Sequence, residues 1–292
     1  MLGLLPSPRC RRGRSSLAAH EEDANLSVRV IIEASRSTIS AVLCRRSYES
    51  IGENGHSGAS CHHYRRKPRD RAGLAQAFAR EGHALLLIAR RAAAIDGLED
   101  APYRFVEGDV ADFACLKAAV EEAEVTFGQA DCLVNNAGFL HVGDFRNRPV
   151  DDLDHDVDVL LKGVIHGIRA VLPGMSARKR STIINVSSIG DRKPGPSGET
   201  YHAAKAAVRS LTESLQQAEA KNNVRIINVA PGFVKTNIHV GMGISFDEYC
   251  RLTGNRDFIA PERIADIILF CYKEPQAICI RDLVIMPTTS AY

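Results

Sequence analysis

His83-Ala84-Leu85-Leu86-Leu87-Ile88-Ala89 is an unbroken apolar run, with Gly82 before it and Arg90-Arg91 after it. A strand with one wet face alternates apolar and polar residues. A continuous apolar run between turns predicts a strand buried on both faces, as in a parallel sheet covered by helices. Outward from this run the pattern repeats. Gly73 to Glu81 reads as an Ala-rich helix that Gly82 ends. Tyr103 to Val106 is the next strand, Phe113 to Phe127 a helix and Asp131 to Asn135 a strand. Val150 to Leu172 forms a long helix, Thr182 to Val186 a strand and Tyr201 to Ala220 a second long helix. Val224 to Val229 and Arg281 to Met286 supply the last strands. Alternating strands and helices predict an α/β fold with a doubly wound parallel sheet. Residues 69–292 are expected to form this single domain, and residues 1–68 an irregular N-terminal extension.

Composition narrows the function classes. A net charge of +2 gives no reason to expect a nucleic acid or a membrane surface as partner. No apolar run approaches the roughly 20 residues that span a bilayer. The 8 cysteines are scattered, without CxxC or a Cys/His ligand spacing, so neither a disulfide framework nor a metal site is expected. Reduced thiols point to the cytoplasm. The first twenty residues, with Arg9, Arg11, Arg12 and Arg14, carry Arg and Ser in the manner of an organellar targeting segment, which gives the alternative location.

Tyr201-His202-Ala203-Ala204-Lys205 places a Tyr and a Lys one helical turn apart, on one face of a helix. A Tyr hydroxyl titrates near pH ~10, and a neighbouring ammonium favours the phenolate. Such a pair can move a proton at a carbonyl or an alcohol. The spacing alone occurs on many surface helices. Its weight comes from Ser188 upstream and from Asn135-Asn136-Ala137-Gly138 directly after a strand.

Taken in this order, these motifs resemble the short-chain dehydrogenase/reductase family, over Arg69 to the C-terminus. The resemblance implies a Rossmann-type fold and an alcohol–carbonyl oxidoreductase. In it Tyr201 gives the proton to a carbonyl or takes it from an alcohol, Lys205 holds the nicotinamide ribose and lowers the Tyr pKa, and Ser188 holds the substrate oxygen. Ser187 lacks the family's spacing to Tyr201. Asn135 supports the sheet beside the cofactor, Asp109-Val110 matches the pair at the adenine, and Val234 in Pro231-Gly232-Phe233-Val234-Lys235-Thr236 meets the nicotinamide amide. The stretch Ile278 to Thr288 is similar to a branch acting on small hydroxy acids and hydroxy amino acids. Asn237 to Phe258 is the expected lid over a small-molecule substrate, and the long helices imply a homodimer or homotetramer.

Arg90 and Arg91 follow the strand ending at Ala89, where an NAD-specific protein places an acid. An Arg there accommodates a 2′-phosphate, so NADP is expected over NAD.

The chain departs from the family pattern twice. In Asp158-Val159-Leu160-Leu161-Lys162-Gly163, Leu160 stands where the family has an Asn that holds a water of the proton relay. Leu can neither donate nor accept a hydrogen bond, so slowed turnover is expected. The family's glycine-rich phosphate loop is also replaced, by Tyr64-Arg65-Arg66-Lys67-Pro68-Arg69-Asp70-Arg71. There Arg side chains fill the space where backbone amides cradle a pyrophosphate, and Pro68 removes one amide. Read one base later, the codons of His62 to Arg71 can encode Ile-[Ile/Thr]-Thr-Gly-Ala-Ser-Arg-Gly-Ile-Gly. This would make the N-terminal segment a shifted reading of an ordinary start. The rival account takes Val28-Arg29-Val30-Ile31-Ile32 as the first strand, followed by an uncommonly long connection. Two other function classes compete with the dehydrogenase: a catalytically impaired binding or scaffold protein, and an isomerase or dehydratase using the same Tyr.

Overall fold

The computed structural model describes residues 11–15, 28–32, 73–90, 97–254 and 257–290. Eight strands form one sheet in the order β1-β4-β3-β2-β5-β6-β7-β8. The strands are β1 Arg11–Ser15, β2 Val28–Ile32, β3 Leu85–Ala89, β4 Tyr103–Glu107, β5 Ala130–Asn135, β6 Ser181–Val186, β7 Val224–Pro231 and β8 Asp282–Ile285. From β4 to β8 all neighbours are parallel, and β1 lies antiparallel on the β4 edge. The helices are α1 Leu74–Ala79, α2 Phe113–Phe127, α3 Val150–Val157, α4 Gly163–Arg178, α5 Glu199–Glu219, α6 Ile238–Gly241, α7 Phe246–Leu252 and α8 Pro261–Lys273.

Every residue of β3 and of β7 is buried, so both faces of these strands are covered, as the apolar run predicts. Leu85, Leu86, Leu87 and Ile88 contribute on the order of 1.5–3 kcal/mol each by leaving water. Truncating Leu86 to Ala would therefore cost about 2–5 kcal/mol. Helices α1 and α8 pack together, as do α2 and α4, and α3 and α5.

Two described strands lie in the N-terminal segment. Val28–Ile32 is the central strand: it pairs in parallel with β3 on one side and β5 on the other, and the strand order reverses here. Val28–Ile32 is the segment that the rival account takes as the first strand of the parallel sheet. Arg11–Ser15 is a further strand inside a segment expected to be irregular. The Arg-rich stretch Tyr64 to Arg71, the shifted-frame codons and Arg91 lie outside the described residues.

The long helix expected over Val150 to Leu172 is three pieces in one run: α3, a π turn at Asp158–Lys162, and α4, which continues through Pro173 to Arg178. Pro173 is exposed, so the helix passes it on the solvent side. π turns often mark functional positions, and this one contains Leu160.

Candidate active site

The site gathers at the C-terminal ends of the parallel strands, beyond Asn135, Val186 and Pro231. A buried hydrogen-bond chain fixes the helix above them. Asn135 Nδ2 donates to Asn185 Oδ1 (2.8 Å), Asn185 Nδ2 to Thr212 Oγ1 (2.9 Å), and Thr212 Oγ1 to the Val208 carbonyl (2.7 Å). Strands β5 and β6 are thereby tied to α5, which carries Tyr201 and Lys205 on one face.

The structure brings Ser188, Tyr201 and Lys205 together. Ser188 closes β6 into a turn, its Oγ accepting from the Gly190 amide (3.1 Å), and it shares a hydrogen bond with the Tyr201 hydroxyl. Lys205 Nζ lies 5.9 Å from the Tyr201 ring centre and donates to the Val186 carbonyl (2.8 Å). Ser187 points elsewhere: its Oγ donates to Asp191 Oδ2 (2.9 Å) and to the Lys205 carbonyl (3.3 Å). Gly138 stands between Leu160 and Lys205. A Cβ there would lie 3.7 Å from Leu160 Cδ2 and 3.8 Å from Lys205 Nζ. Leu160, fully buried, and the Lys205 ammonium thus both approach Gly138.

The electrostatics differ from the expectation that Lys205 lowers the Tyr201 pKa. Burial raises the Tyr201 pKa, the Ser188 hydrogen bond opposes the rise, and the Asp191 charge adds to it. Burial also lowers Lys205 to about 8, against the opposite pull of Asp191. Tyr201 is therefore a neutral acid at neutral pH.

Two buried carboxylates escaped the sequence reading. Asp191 accepts from Ser187, from Asn228 Nδ2 (3.1 Å) and from Arg192 Nε (2.6 Å), and Arg192 also pairs with Asp282 (2.7 Å). Asp156, 0% exposed, pairs with Arg148 (2.9 Å), itself 8% exposed, and with His141 Nδ1 (2.9 Å), and it accepts from Thr200 Oγ1. Thr200 immediately precedes Tyr201, so this cluster locks the start of α5 to α3 and to the loop after β5. Asp156 sits among Asp151, Asp152, Asp154 and Asp158, and nothing in the sequence sets it apart.

The remaining predicted positions lie along the same edge. Asp109 Oδ1 accepts from the Ala111 amide (2.9 Å). Val110 is buried against Gly163, where a Cβ would come within 2.5 Å of Val110 Cγ2; only glycine permits this approach of α4. Arg90 is exposed at the end of β3, with Nη1 3.4 Å from His155 Nε2. Val234 bridges to Ile259, and the amide of Thr236 donates to its carbonyl (2.8 Å).

The donor set suits a nicotinamide dinucleotide. Asn135 Oδ1 is buried without a partner, and Lys205 has directed one of its three donors to protein. Asp109 and Val110 would hold the adenine end, Arg90 a 2′-phosphate, and Lys205 a ribose.

The expected lid carries α6 and α7, and its rings cluster with Phe233. Among the described residues no helix is long and apolar enough to cross a membrane, and no group of three or more His, Cys, Asp or Glu could hold a metal ion.

A family model described as short chain dehydrogenase matches residues 72–243. The oxidoreductase UcpA of Salmonella typhimurium is 38% identical over 170 residues, which make up 56% of this chain and 65% of that protein. The chain thus spans slightly under two thirds of that relative's length. A serine dehydrogenase structure complexed with NADP+ superposes with a TM-score of 0.68 at 26% identity, covering 75% of this chain and 93% of that one. A 3-ketoacyl-(acyl-carrier-protein) reductase from Brucella melitensis complexed with NADH gives 0.67 at 26% identity, with the same coverages.

Proposed function

The chain belongs to the short chain dehydrogenase family, and on that premise we propose that it is an NADP-dependent oxidoreductase interconverting a secondary alcohol and a carbonyl compound. The observation that carries the reading is the convergence of Ser188, Tyr201 and Lys205 at the C-terminal edge of the sheet. The dinucleotide, when bound, supplies or takes the hydride. The chain's own residues do the rest. Ser188 holds the substrate oxygen, and Tyr201, kept protonated by burial and by Asp191, gives it a proton, which favours carbonyl reduction at neutral pH. Lys205, buried beside Tyr201, holds the ribose and stays cationic up to about pH 8. Arg90 supports NADP over NAD because a guanidinium matches a phosphate with two parallel donors.

Val150, Val157 and Ile165 are exposed on the α3–α4 run, which supports a homo-oligomer built on these helices. A cytoplasmic location is part of the same reading. It is supported by the free thiols Cys115, Cys132, Cys250, Cys271 and Cys279 among the described residues. The test is oxidation of NADPH by the purified chain over a panel of ketones, with Tyr201→Phe as control. The expected outcome is turnover that falls about 10²- to 10⁴-fold in the variant. Turnover unchanged in Tyr201→Phe would remove Tyr201 as the acid.

A further inference from the structure

Ser188 and Tyr201 belong to different elements, and the loop between them packs around one side chain. Ser188 opens the tight turn Ile189–Asp191, where the Asp191 amide donates to the Ser188 carbonyl (2.9 Å) and the Lys193 amide to the Ile189 carbonyl (2.9 Å). The sheet holds this turn from one side. Ser187, just past β6, and Asn228 of β7 donate to the Asp191 carboxylate, and Arg192 pairs with Asp282 of β8.

From α5 the loop is met by His202, the residue after Tyr201. Its ring stands edge-on to the Tyr201 ring, 5.5 Å between centres. Three glycines of the loop face it. A Cβ on Gly190 would lie 2.2 Å from His202 Nδ1 and 2.8 Å from Cε1. One on Gly198 would lie 3.4 Å from Nε2 and 3.6 Å from Cδ2, and one on Gly195 3.9 Å from Nε2. The φ of Gly190 is not positive, so it is the approach of the ring, and not the backbone conformation, that excludes a side chain there. The ring is boxed by Gly195 and Gly198 on its far edge, which keeps it from swinging aside. Burial lowers the His202 pKa, against the opposite pull of the Gly190 backbone and of Glu199, so the ring is uncharged at neutral pH. What it brings to the loop is shape. The bonds to Asp191 and Arg192 fix the turn to the sheet; the ring sets how closely α5 approaches the turn. Misplacement of a reacting pair by about 1 Å costs on the order of 10²-fold in rate.

Resting on the oxidoreductase reading, we propose that His202 is a positioning residue: packed against Gly190, Gly195 and Gly198, its ring holds the Ser188 turn within hydrogen-bond reach of Tyr201. The glycines of this loop then serve to admit the imidazole.

The experiment is hydrogen exchange of the full chain without nucleotide, read by mass spectrometry on the peptide covering residues 187–199, with the peptide over β3 as internal reference. The variants are His202→Ala, Gly190→Ala and the two together. His202→Ala should speed exchange in the loop peptide about 3- to 100-fold and leave the β3 peptide unchanged. Gly190→Ala should speed it by collision with the ring. The double variant, in which no ring meets the new methyl group, should exchange more slowly than Gly190→Ala alone. Unchanged loop exchange in His202→Ala, or a double variant no slower than Gly190→Ala, would overturn the proposal. So would a general rise that includes β3, since His202 would then support the whole fold and not the turn. Reduction of the ketone panel with NADPH gives the second readout: in His202→Ala, kcat should fall about 10²-fold while KM for NADPH stays unmoved. An unmoved kcat would also overturn it. A chain that reduces no ketone of the panel yet shows the expected exchange pattern would defeat the oxidoreductase reading and leave the packing of His202 against the turn standing.

Discussion

Replacing Asp156 with Ala removes the carboxylate on which Arg148, His141 and Thr200 converge. Asp156 is 0% exposed and Arg148 8%, so the variant leaves a guanidinium buried without its counter-charge. Breaking one side of a buried pair costs about 3–5 kcal/mol, most of it from the charge left behind. For a chain of this size, that is a fall in melting temperature of roughly 6–20 °C. Replacing both partners, Asp156→Leu with Arg148→Met, removes the stranded charge and should recover most of the loss. The assay is urea unfolding of the unaltered chain, Asp156→Ala and the double variant, read by circular dichroism. If Asp156→Ala cost less than about 1 kcal/mol, as an exposed pair would, or if the double variant were no more stable than the single, the cluster would not be the lock described here. Because Thr200 adjoins Tyr201, the conservative Asp156→Asn should also lower turnover more than it lowers stability.

Three other outcomes are expected. Asp191→Asn removes the charge that raises both Tyr201 and Lys205, so the alkaline limb of the pH–rate profile for carbonyl reduction should move to lower pH; an unmoved limb would show that Asp191 does not govern the acid. His83, buried against Phe78 and Tyr272, is lowered from 6.5 to about 3 by burial and then by Lys273. The unfolded chain therefore binds the extra proton between these values. Stability should fall with pH in that window by up to about 1.4 kcal/mol per unit, a slope that His83→Phe flattens in acid titrations followed by fluorescence or circular dichroism. Leu160→Asn restores a polar group near Gly138, which the Lys205 ammonium also approaches: turnover should rise, while unfolding should become easier by about 1–3 kcal/mol if the amide is left unpaired. Unchanged turnover would mean that Leu160 does not limit the proton path.

What the sequence revealed, and what it hid, follows from how local each cause is. The run from Leu85 to Ala89 reads directly as a strand buried on both faces, because burial on both faces is written into consecutive residues. The i,i+4 spacing placed Tyr201 and Lys205 on one face of α5 for the same reason. The π turn at Asp158–Lys162 was not legible, since it inserts one residue into a helical pattern that otherwise reads as continuous. The helix expected to end at Leu172 runs on to Arg178 through the exposed Pro173. Val28–Ile32 was a legible strand former; only the long connection that follows counted against it, and sheet pairing outweighed that cost. The sign of the Tyr201 shift was hidden because burial and Asp191 act through space, while the neighbouring Lys205 is all that the local sequence displays.

The most direct test of the account is a titration of the purified full chain with NADPH and with NADH, followed by nicotinamide fluorescence. The account predicts saturable binding of NADPH, weaker binding of NADH, and a preference for NADPH that Arg90→Ala abolishes. Absence of binding by either nucleotide would contradict it and would put the fault in the Arg-rich stretch Tyr64 to Arg71.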